Sequence, residues 1–501
     1  MLAMDKVTFT LDGETVCAEQ GATILSAARE AGVRIPTLCY LKDYTEGSAC
    51  RMCLVEVRGA KGPVTACNTK VTEGMEVSTR TENLHKLRKQ NLRLIASDHR
   101  MDCTFCARFP YCELNALMRE YGLDDREFRY CRPKEMDTSA MHLVRDNSKC
   151  ILCGRCVEVC RKQGVCAVGF TGRGANMRVT PGADRRYLPE TGCIGCGQCI
   201  QACPVGALRE KDDTQQVLNE LHHKKKHVWA GITREAAVTF GECMQDAPGQ
   251  SDEGKVTALL KALGFEQVFC TDEDIGRITH VEMLELQSRR ERKERLPMIS
   301  AQCPSIVSYI EKFYSELTPL LSETKNRNAH LAEICRRDKA EELGIQPEDV
   351  YLVLISTCTA DKVAEYEHVD AVLTVRELAS MFRKSCVSDF TAQQVWGQLE
   401  ALPFDRLTVA IDGDGNRDGD KDIPGKADSA ISMEISDMSA LKAELDKLAE
   451  RKQEDGNGSV TYEYLRCRAC AGGCLDGGGA PRVFAQERDV RTYLRQREQA
   501  I

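Results

Sequence analysis

Polar and apolar residues alternate from the start of the chain. Residues 5–12 and 14–18 read as two short strands around the turn Asp12-Gly13, and the run ATILSAAREAG after them has helical spacing closed by Gly32. This predicts a small α+β unit. Farther on, LHKLRKQNLRLIASDH has the pattern of a helix that delivers His99. From about residue 216 the pattern changes: VWAGIT, EGKVTALLKALGFEQVF, the highly charged VEMLELQSRRERKERL and YLVLISTC alternate strand and helix, which implies α/β layers with a largely parallel sheet. No apolar run approaches the ~20 residues a membrane-spanning helix needs. The N-terminus lacks the apolar core of a signal peptide, so a cytoplasmic protein without a membrane partner is expected.

With 501 residues, several domains are expected. A hydrophobic fraction of 42% with 29% charged residues suits soluble domains, and a net charge of −8 argues against a nucleic-acid partner. The basic run HHKKKH (222–227) reads as a solvated linker rather than a phosphate site. The 27 cysteines change the picture: in a reducing compartment, dense and regularly spaced cysteines point to thiolate metal ligands.

Cys39, Cys50, Cys53 and Cys67 form C-x10-C-x2-C-x13-C in a loop beside the first unit, which suits a [2Fe–2S] cluster, with structural zinc as the alternative. His99, Cys103, Cys106 and Cys112 follow as H-x3-C-x2-C-x5-C. An imidazole can replace a thiolate on iron; zinc is again the rival. This spacing resembles the one-histidine, three-cysteine [4Fe–4S] domain of NADH dehydrogenase large subunits and [FeFe] hydrogenases. Cys150, Cys153, Cys156 and Cys160 form C-x2-C-x2-C-x3-C, and Cys193, Cys196, Cys199 and Cys203 repeat it before Pro204. In the bacterial two-cluster ferredoxin pattern the fourth cysteine of each run serves the other cluster. One [4Fe–4S] is therefore expected on Cys150, Cys153, Cys156 and Cys203, the other on Cys193, Cys196, Cys199 and Cys160. Cys166 is expected to be a buried small hydrophobe. Cys131, Cys243, Cys270, Cys335 and Cys386 are expected to be packed thiols. No nucleotide-binding glycine motif is present, and DGDGNRDGDKDIPGK (412–426) fails the calcium-loop pattern at Gly425, so it is expected to be a surface loop.

Three further stretches carry a resemblance: PMISAQCPSIVSYIEKFYSEL (297–317), LISTCTADKVAEYEHVDAVLTVREL (354–378) and CAGGCLDGGGAPR (470–482) are similar to the three signature motifs of the [FeFe] hydrogenase H-cluster domain. The resemblance implies a two-lobed α/β domain over 216–501, preceded by a [2Fe–2S] ferredoxin-like domain (1–80), a one-His/three-Cys [4Fe–4S] domain (81–130) and a two-[4Fe–4S] domain (131–215). It also implies a fourth [4Fe–4S], an H-cluster-type cubane, on Cys303, Cys358, Cys470 and Cys474. Cys467 is expected to be a packed thiol, and the glycines after Cys474 to let backbone approach the cluster.

Around the diiron half of such a site the sequence departs from the family. Gln302 stands at the proton-shuttling cysteine, Ser356-Thr357 precede Cys358 in place of Met-Pro, and Asp361 occupies the position of the lysine that grips a cyanide. Arg468 replaces a methionine and Asn326 a serine, although Glu282 and Glu285 match the family glutamates; the Gly-rich segment that walls the diiron pocket has no counterpart between Cys358 and Cys470. A chain with a cubane and no diiron subcluster is expected. It most resembles the hydrogenase-like iron–sulfur subunit of Stn-type electron-bifurcating transhydrogenases. That implies a hetero-oligomer in which flavoprotein partners hold flavin and bind NAD(H) and NADP(H), with soluble ferredoxin as a further partner. A catalytic or sensory [FeFe] hydrogenase is the alternative, and a regulatory redox sensor a third reading.

Overall fold

The computed structural model describes residues 6–45, 47–124, 135–182, 187–249, 252–271, 275–364, 366–385, 392–403, 405, 432–453, 462–470, 473–482 and 495–497. Cys131, Cys386 and the loop 412–426 lie outside them.

Asp12 and Gly13 both take positive φ (51° and 94°), the conformation a two-residue hairpin turn requires. It joins strands Lys6–Leu11 and Glu14–Glu19, and the sheet continues through Glu76–Ser78, Leu54–Val57 and Val64–Thr65. The helix Ile24–Glu30 starts where the Thr23 hydroxyl accepts the Ser26 N–H at 3.1 Å. Its apolar face, with Ile24 and Leu25, packs on Phe9, Leu11 and Val55. The helix Glu82–Ser97 then leads to His99, and Glu113–Glu120 follows Cys112.

In the third unit the helices Arg155–Lys162 and Gln198–Ala202 each begin after a left-handed glycine, Gly154 (φ 79°) and Gly197 (φ 65°). The hairpin Val168–Thr171/Arg178–Pro181 lies between them in sequence. Cys166 corrects the expectation of a buried hydrophobe. It takes φ 51° in the turn after Lys162, where its N–H donates to the Cys160 carbonyl, and its side chain is exposed.

The C-terminal region holds two parallel sheets. One runs Gln267–Cys270, His227–Ile232, Val350–Ser356, Ala371–Thr374; the other runs Met298–Ile299, Tyr464–Cys467, Ser432–Ile435. Val350–Ser356 is buried at every position, as a central parallel strand covered on both faces must be. The HHKKKH run closes the helix Thr214–His223 at a left-handed Lys224 (φ 49°) and enters the strand at His227.

Short cysteine spacing suggests small modules strung along the chain. The structure differs: one continuous apolar core takes in Leu38, Leu92, Leu117, Ile200, Ile306 and Leu441, so the cysteine-bearing units pack on one another and on the second parallel sheet.

The joint to the C-terminal region is made largely of backbone. Gln198 Nε2 donates to the Asp476 carbonyl at 2.9 Å, Gln201 Nε2 to Gly477 (3.0 Å) and Ala480 (2.8 Å), and the Thr359 hydroxyl to Gly195 (2.8 Å). A Cβ on Gly478 would stand 2.5 Å from Gly197 Cα, and one on Gly477 2.3 Å from the Thr357 carbonyl oxygen. The glycines after Cys474 thus make room for neighbouring backbone.

Beside this joint Glu210 is buried, taking Arg376 at 3.0 and 2.9 Å and Arg482 at 3.5 Å. Burial opposes its ionisation, but Arg376 and Arg482 override that and hold the carboxyl well below the usual range. Removing one partner of a buried ion pair costs about 3–5 kcal/mol, so Glu210→Gln is expected to lower unfolding free energy by about that amount in denaturant titration. Because the folded-state pKa is depressed, this stabilisation is present above the unfolded carboxylate's pKa. It is lost as pH falls below that value, and the variant's stability should respond less to acid.

Candidate metal centres

The four thiols of the first array are buried together. Cys39 and Cys50 form one hydrogen-bonded pair and Cys53 and Cys67 another; hydrogen bonding draws Cys50 down to about 6 and pushes Cys39 up. The loop is shaped by Thr45, whose hydroxyl accepts the Leu41 N–H at 2.7 Å and donates to the Cys39 carbonyl at 2.9 Å.

His99 is 4% exposed, and its Nδ1 donates to the Lys149 carbonyl at 2.9 Å. That bond fixes the tautomer that leaves Nε2 as a lone-pair donor. Burial lowers the imidazole to about 4, so the ring is neutral, as a metal ligand must be. Cys103 accepts Asn115 Nδ2 at 3.6 Å, Cys106 lies against Gly206, and burial pushes Cys112 up to about 11.

All eight cysteines of the two C-x2-C-x2-C-x3-C runs line one apolar cavity walled by Leu143, Val159, Ile194 and Val205. Burial first, then the charges of Cys153, Cys150 and Cys203, raises Cys156; burial, then Cys196, Cys193 and Cys160, raises Cys199. Cysteines of both runs therefore act on each of these thiols. Left-handed Gly154 and Gly197 let each loop turn directly into its helix. His142, which no motif marks, is buried with Nε2 3.6 Å from Cys193 Sγ.

Cys303, Cys358, Cys470 and Cys474 also converge: burial raises each thiol, and the charge of Cys303 adds to the rise at the other three. Cys303 stands at the N-cap of the helix Pro304–Phe313, and its backbone carbonyl accepts the Ile306 and Val307 N–H groups at 2.9 and 3.1 Å. Cys470 and Cys303 are within electrostatic reach of Cys196, and Cys199 of Cys156. Cys467 is buried in the strand Tyr464–Cys467 with Cys303 as its charged neighbour, a packed thiol raised to about 12. Cys243, Cys270 and Cys335 are buried too.

Among the described residues no three histidine, cysteine or acidic side chains converge tightly enough for a single metal ion. Sets of four soft donors are of the kind that hold iron–sulfur clusters, with one protein ligand on each iron of a [4Fe–4S] and two on each iron of a [2Fe–2S]. Buried thiolates also need a cationic core at hand.

Beside the C-terminal thiols the polar groups are bound to one another. Asp361 is 2% exposed; Ser356 Oγ donates to its Oδ2 and Tyr366 OH to its Oδ1, both at 2.6 Å. Burial raises this carboxyl above its ordinary range. Lys362 does not replace the missing lysine: its ammonium turns to Asp213, Glu377 and the Lys211 carbonyl. Gln302 Oε1 accepts the Arg327 N–H at 3.1 Å. Asn326 caps the helix Arg327–Ile334, its Oδ1 accepting Ala329 N–H (2.9 Å) and its Nδ2 donating to Tyr366 OH (3.1 Å). Glu282 accepts from Ser300 (2.9 Å) and Tyr464 (3.0 Å), while Glu285 takes Ser322, Thr324 and Arg289. Arg468 reaches Glu434 at 3.6 Å.

Family models match four segments: "2Fe-2S iron-sulfur cluster binding domain" at 4–82, "NADH-ubiquinone oxidoreductase-G iron-sulfur binding region" at 88–127, "4Fe-4S dicluster domain" at 149–207 and "Iron only hydrogenase large subunit, C-terminal domain" at 226–419. Three segments are thus similar to iron–sulfur domains, and the one after them to the C-terminal domain of iron-only hydrogenase large subunits. The chain is 29% identical to "NADP-reducing hydrogenase subunit HndD" of Solidesulfovibrio fructosivorans and 28% identical to "Iron hydrogenase 1" of Clostridium pasteurianum, in each case over 95% of this chain and 89% of the relative. Over 41% of its length it is 36% identical to "NADPH-Fe(3+) oxidoreductase subunit alpha" of Geobacter sulfurreducens, covering 24% of that protein. The greater part of that oxidoreductase lies outside the matched stretch. No helix among the described residues is long and apolar enough to cross a membrane.

His99→Ala is expected to perturb the paramagnetic signal of one cluster and leave the others, as read by EPR of the reduced chain. His99→Cys should keep a cluster there at lower potential, since thiolate for imidazole lowers potential.

Proposed function

We propose that the chain is the iron–sulfur electron-transfer subunit of an electron-bifurcating NAD(P)H:ferredoxin oxidoreductase of the transhydrogenase type. It relays electrons between flavoprotein partners, which bind NAD(H) and NADP(H), and ferredoxin. On this reading Cys39, Cys50, Cys53 and Cys67 hold a [2Fe–2S] cluster, and His99, Cys103, Cys106 and Cys112 a [4Fe–4S]. The two ferredoxin-type clusters take Cys150, Cys153, Cys156, Cys203 and Cys193, Cys196, Cys199, Cys160. A cubane on Cys303, Cys358, Cys470 and Cys474 ends the path. The clusters supply one-electron carriers; the chain's part is to exclude water and hold neighbouring sites in one packed core. The reading draws support from the nearness of Cys196 to both Cys303 and Cys470, which makes the C-terminal group continuous with the ferredoxin-type unit.

The absence of a diiron subcluster is part of the proposal, and the observation that carries it is the state of Asp361. A buried carboxyl satisfied by Ser356 and Tyr366 stands where a lysine would hold a cyanide. If ionised it repels such an anion in a low dielectric, and if protonated it offers no cation. Gln302 cannot exchange a proton near neutral pH.

A catalytic or sensory [FeFe] hydrogenase is the second reading, favoured by the similarity to HndD over almost the whole chain. Infrared spectroscopy of the matured complex separates the two: the relay has no CO or CN bands and shows no hydrogen uptake, and either signal refutes it. Cys358→Ser is expected to lower iron content and to cut electron transfer between the pyridine-nucleotide partner and ferredoxin at least tenfold in a stopped-flow assay. Unchanged transfer would remove the C-terminal cubane from the path.

A further inference from the structure

Two guanidinium groups lie deep among the cysteine-bearing units, and their surroundings differ. Arg108 and Arg155 are each 1% exposed. Arg155 has a carboxylate: Glu113 accepts both of its terminal nitrogens at 2.8 Å, and this pair lies within electrostatic reach of Cys153 and Cys50. Arg108 makes no ion pair among the described residues. Its Nε donates to the Tyr111 carbonyl at 3.1 Å, and its Nη1, shielded from solvent, has no hydrogen-bond partner. Glu113, the acidic side chain that acts on it most, is already held by Arg155; Cys203 and Cys112 are the next negative groups in reach.

The position is a seam. A Cβ placed on Gly206 would stand 2.4 Å from Cys106 Sγ and 3.7 Å from Arg108 Cβ, so the arginine sits where the Cys103–Cys112 loop meets the loop after Cys203. A guanidinium cannot shed its proton to escape burial, and an unpaired buried charge costs several kcal/mol. The fold must therefore supply negative charge that protein atoms alone do not. A cluster bearing three or four thiolates is such a charge, and it gains one more unit on reduction.

We propose that the counter-charge of Arg108 is the pair of clusters on either side of it, on His99, Cys103, Cys106, Cys112 and on Cys150, Cys153, Cys156, Cys203, and that the arginine raises the reduction potential of both. Reduction of either adds one electron, with no proton and no bond made or broken, and a fixed positive charge alongside favours it. Arg155, neutralised by Glu113, exerts no comparable pull at the junction with the [2Fe–2S] site. The two branches that meet at the Cys203 site then differ in the charge beside them. This inference rests on the ligand assignments proposed above but on no partner or substrate.

The test is a redox titration of the isolated full chain, loaded with clusters and followed by EPR, for the wild type, Arg108→Gln and Arg108→Lys. At fixed potential Arg108→Gln is expected to lower the reduced-to-oxidised ratio of these clusters about tenfold, a shift of ~59 mV for one electron, leaving the [2Fe–2S] signal in place. Arg108→Lys, which keeps the charge, should stay near the wild type. Equal shifts in both variants, or none in Arg108→Gln with its iron intact, would overturn the proposal. Should Arg108→Gln assemble fewer clusters, iron analysis decides: recovery in Arg108→Lys supports a counter-charge, and equal loss in both makes the residue's role one of shape and overturns it. The titration needs no flavoprotein or ferredoxin, so it can fail while the relay reading stands, and the reverse.

Discussion

A thiolate moved out of water loses solvation that a hydrogen bond or two cannot replace, and this chain gathers most of its cysteines in its interior. Burial raises Cys153, Cys156, Cys196 and Cys199 in a cavity with apolar walls, and Cys303, Cys358, Cys470 and Cys474 in a second group beside it. Such thiols ionise usefully only around cationic iron. Assembly of the clusters and consolidation of the core are then one thermodynamic event, because the same apolar residues that wall the cysteines form the contact between units. The few side-chain cations admitted to this interior each carry weight: Arg155 enters with Glu113, and Arg108 enters alone.

What was legible in the sequence is what short-range geometry writes there. The Asp12-Gly13 hairpin, the parallel sheet of the C-terminal region and the gathering of the two cysteine runs at one cavity follow from local spacing. What was illegible depends on residues far apart in sequence. The tautomer of His99 is set by a carbonyl fifty residues on, at Lys149. Arg155 meets Glu113 across a unit boundary, and His142 reaches Cys193 with no motif around it. The hydrophobic character of Cys166 suggests burial, whereas it stands exposed in a turn at φ 51°. The run of glycines after Cys474 marks a close approach, but that the backbone of Gly197 and Thr357 is among its neighbours depends on contacts far apart in sequence.

On the relay reading, the surroundings of Asp361 illustrate how a site is retired. Substituted residues have not left a hole: Ser356, Asp361, Tyr366 and Asn326 are joined in one hydrogen-bonded chain, and Asn326 at the same time caps a helix. Each is now needed for local structure. Such a pocket is hard to convert back by single changes, since returning a lysine to position 361 would leave Ser356 and Tyr366 without their acceptor.

The contact of Gly197 with Gly478 has an evolutionary consequence. Iron–sulfur units are often pictured as interchangeable cassettes passed between oxidoreductases, yet here the ferredoxin-type loop and the third hydrogenase-type motif touch without side chains between them. A cassette from elsewhere bearing any larger residue at either point would hold the two loops apart. Any ferredoxin-type unit joined to this domain must therefore bring a residue without a Cβ to that point.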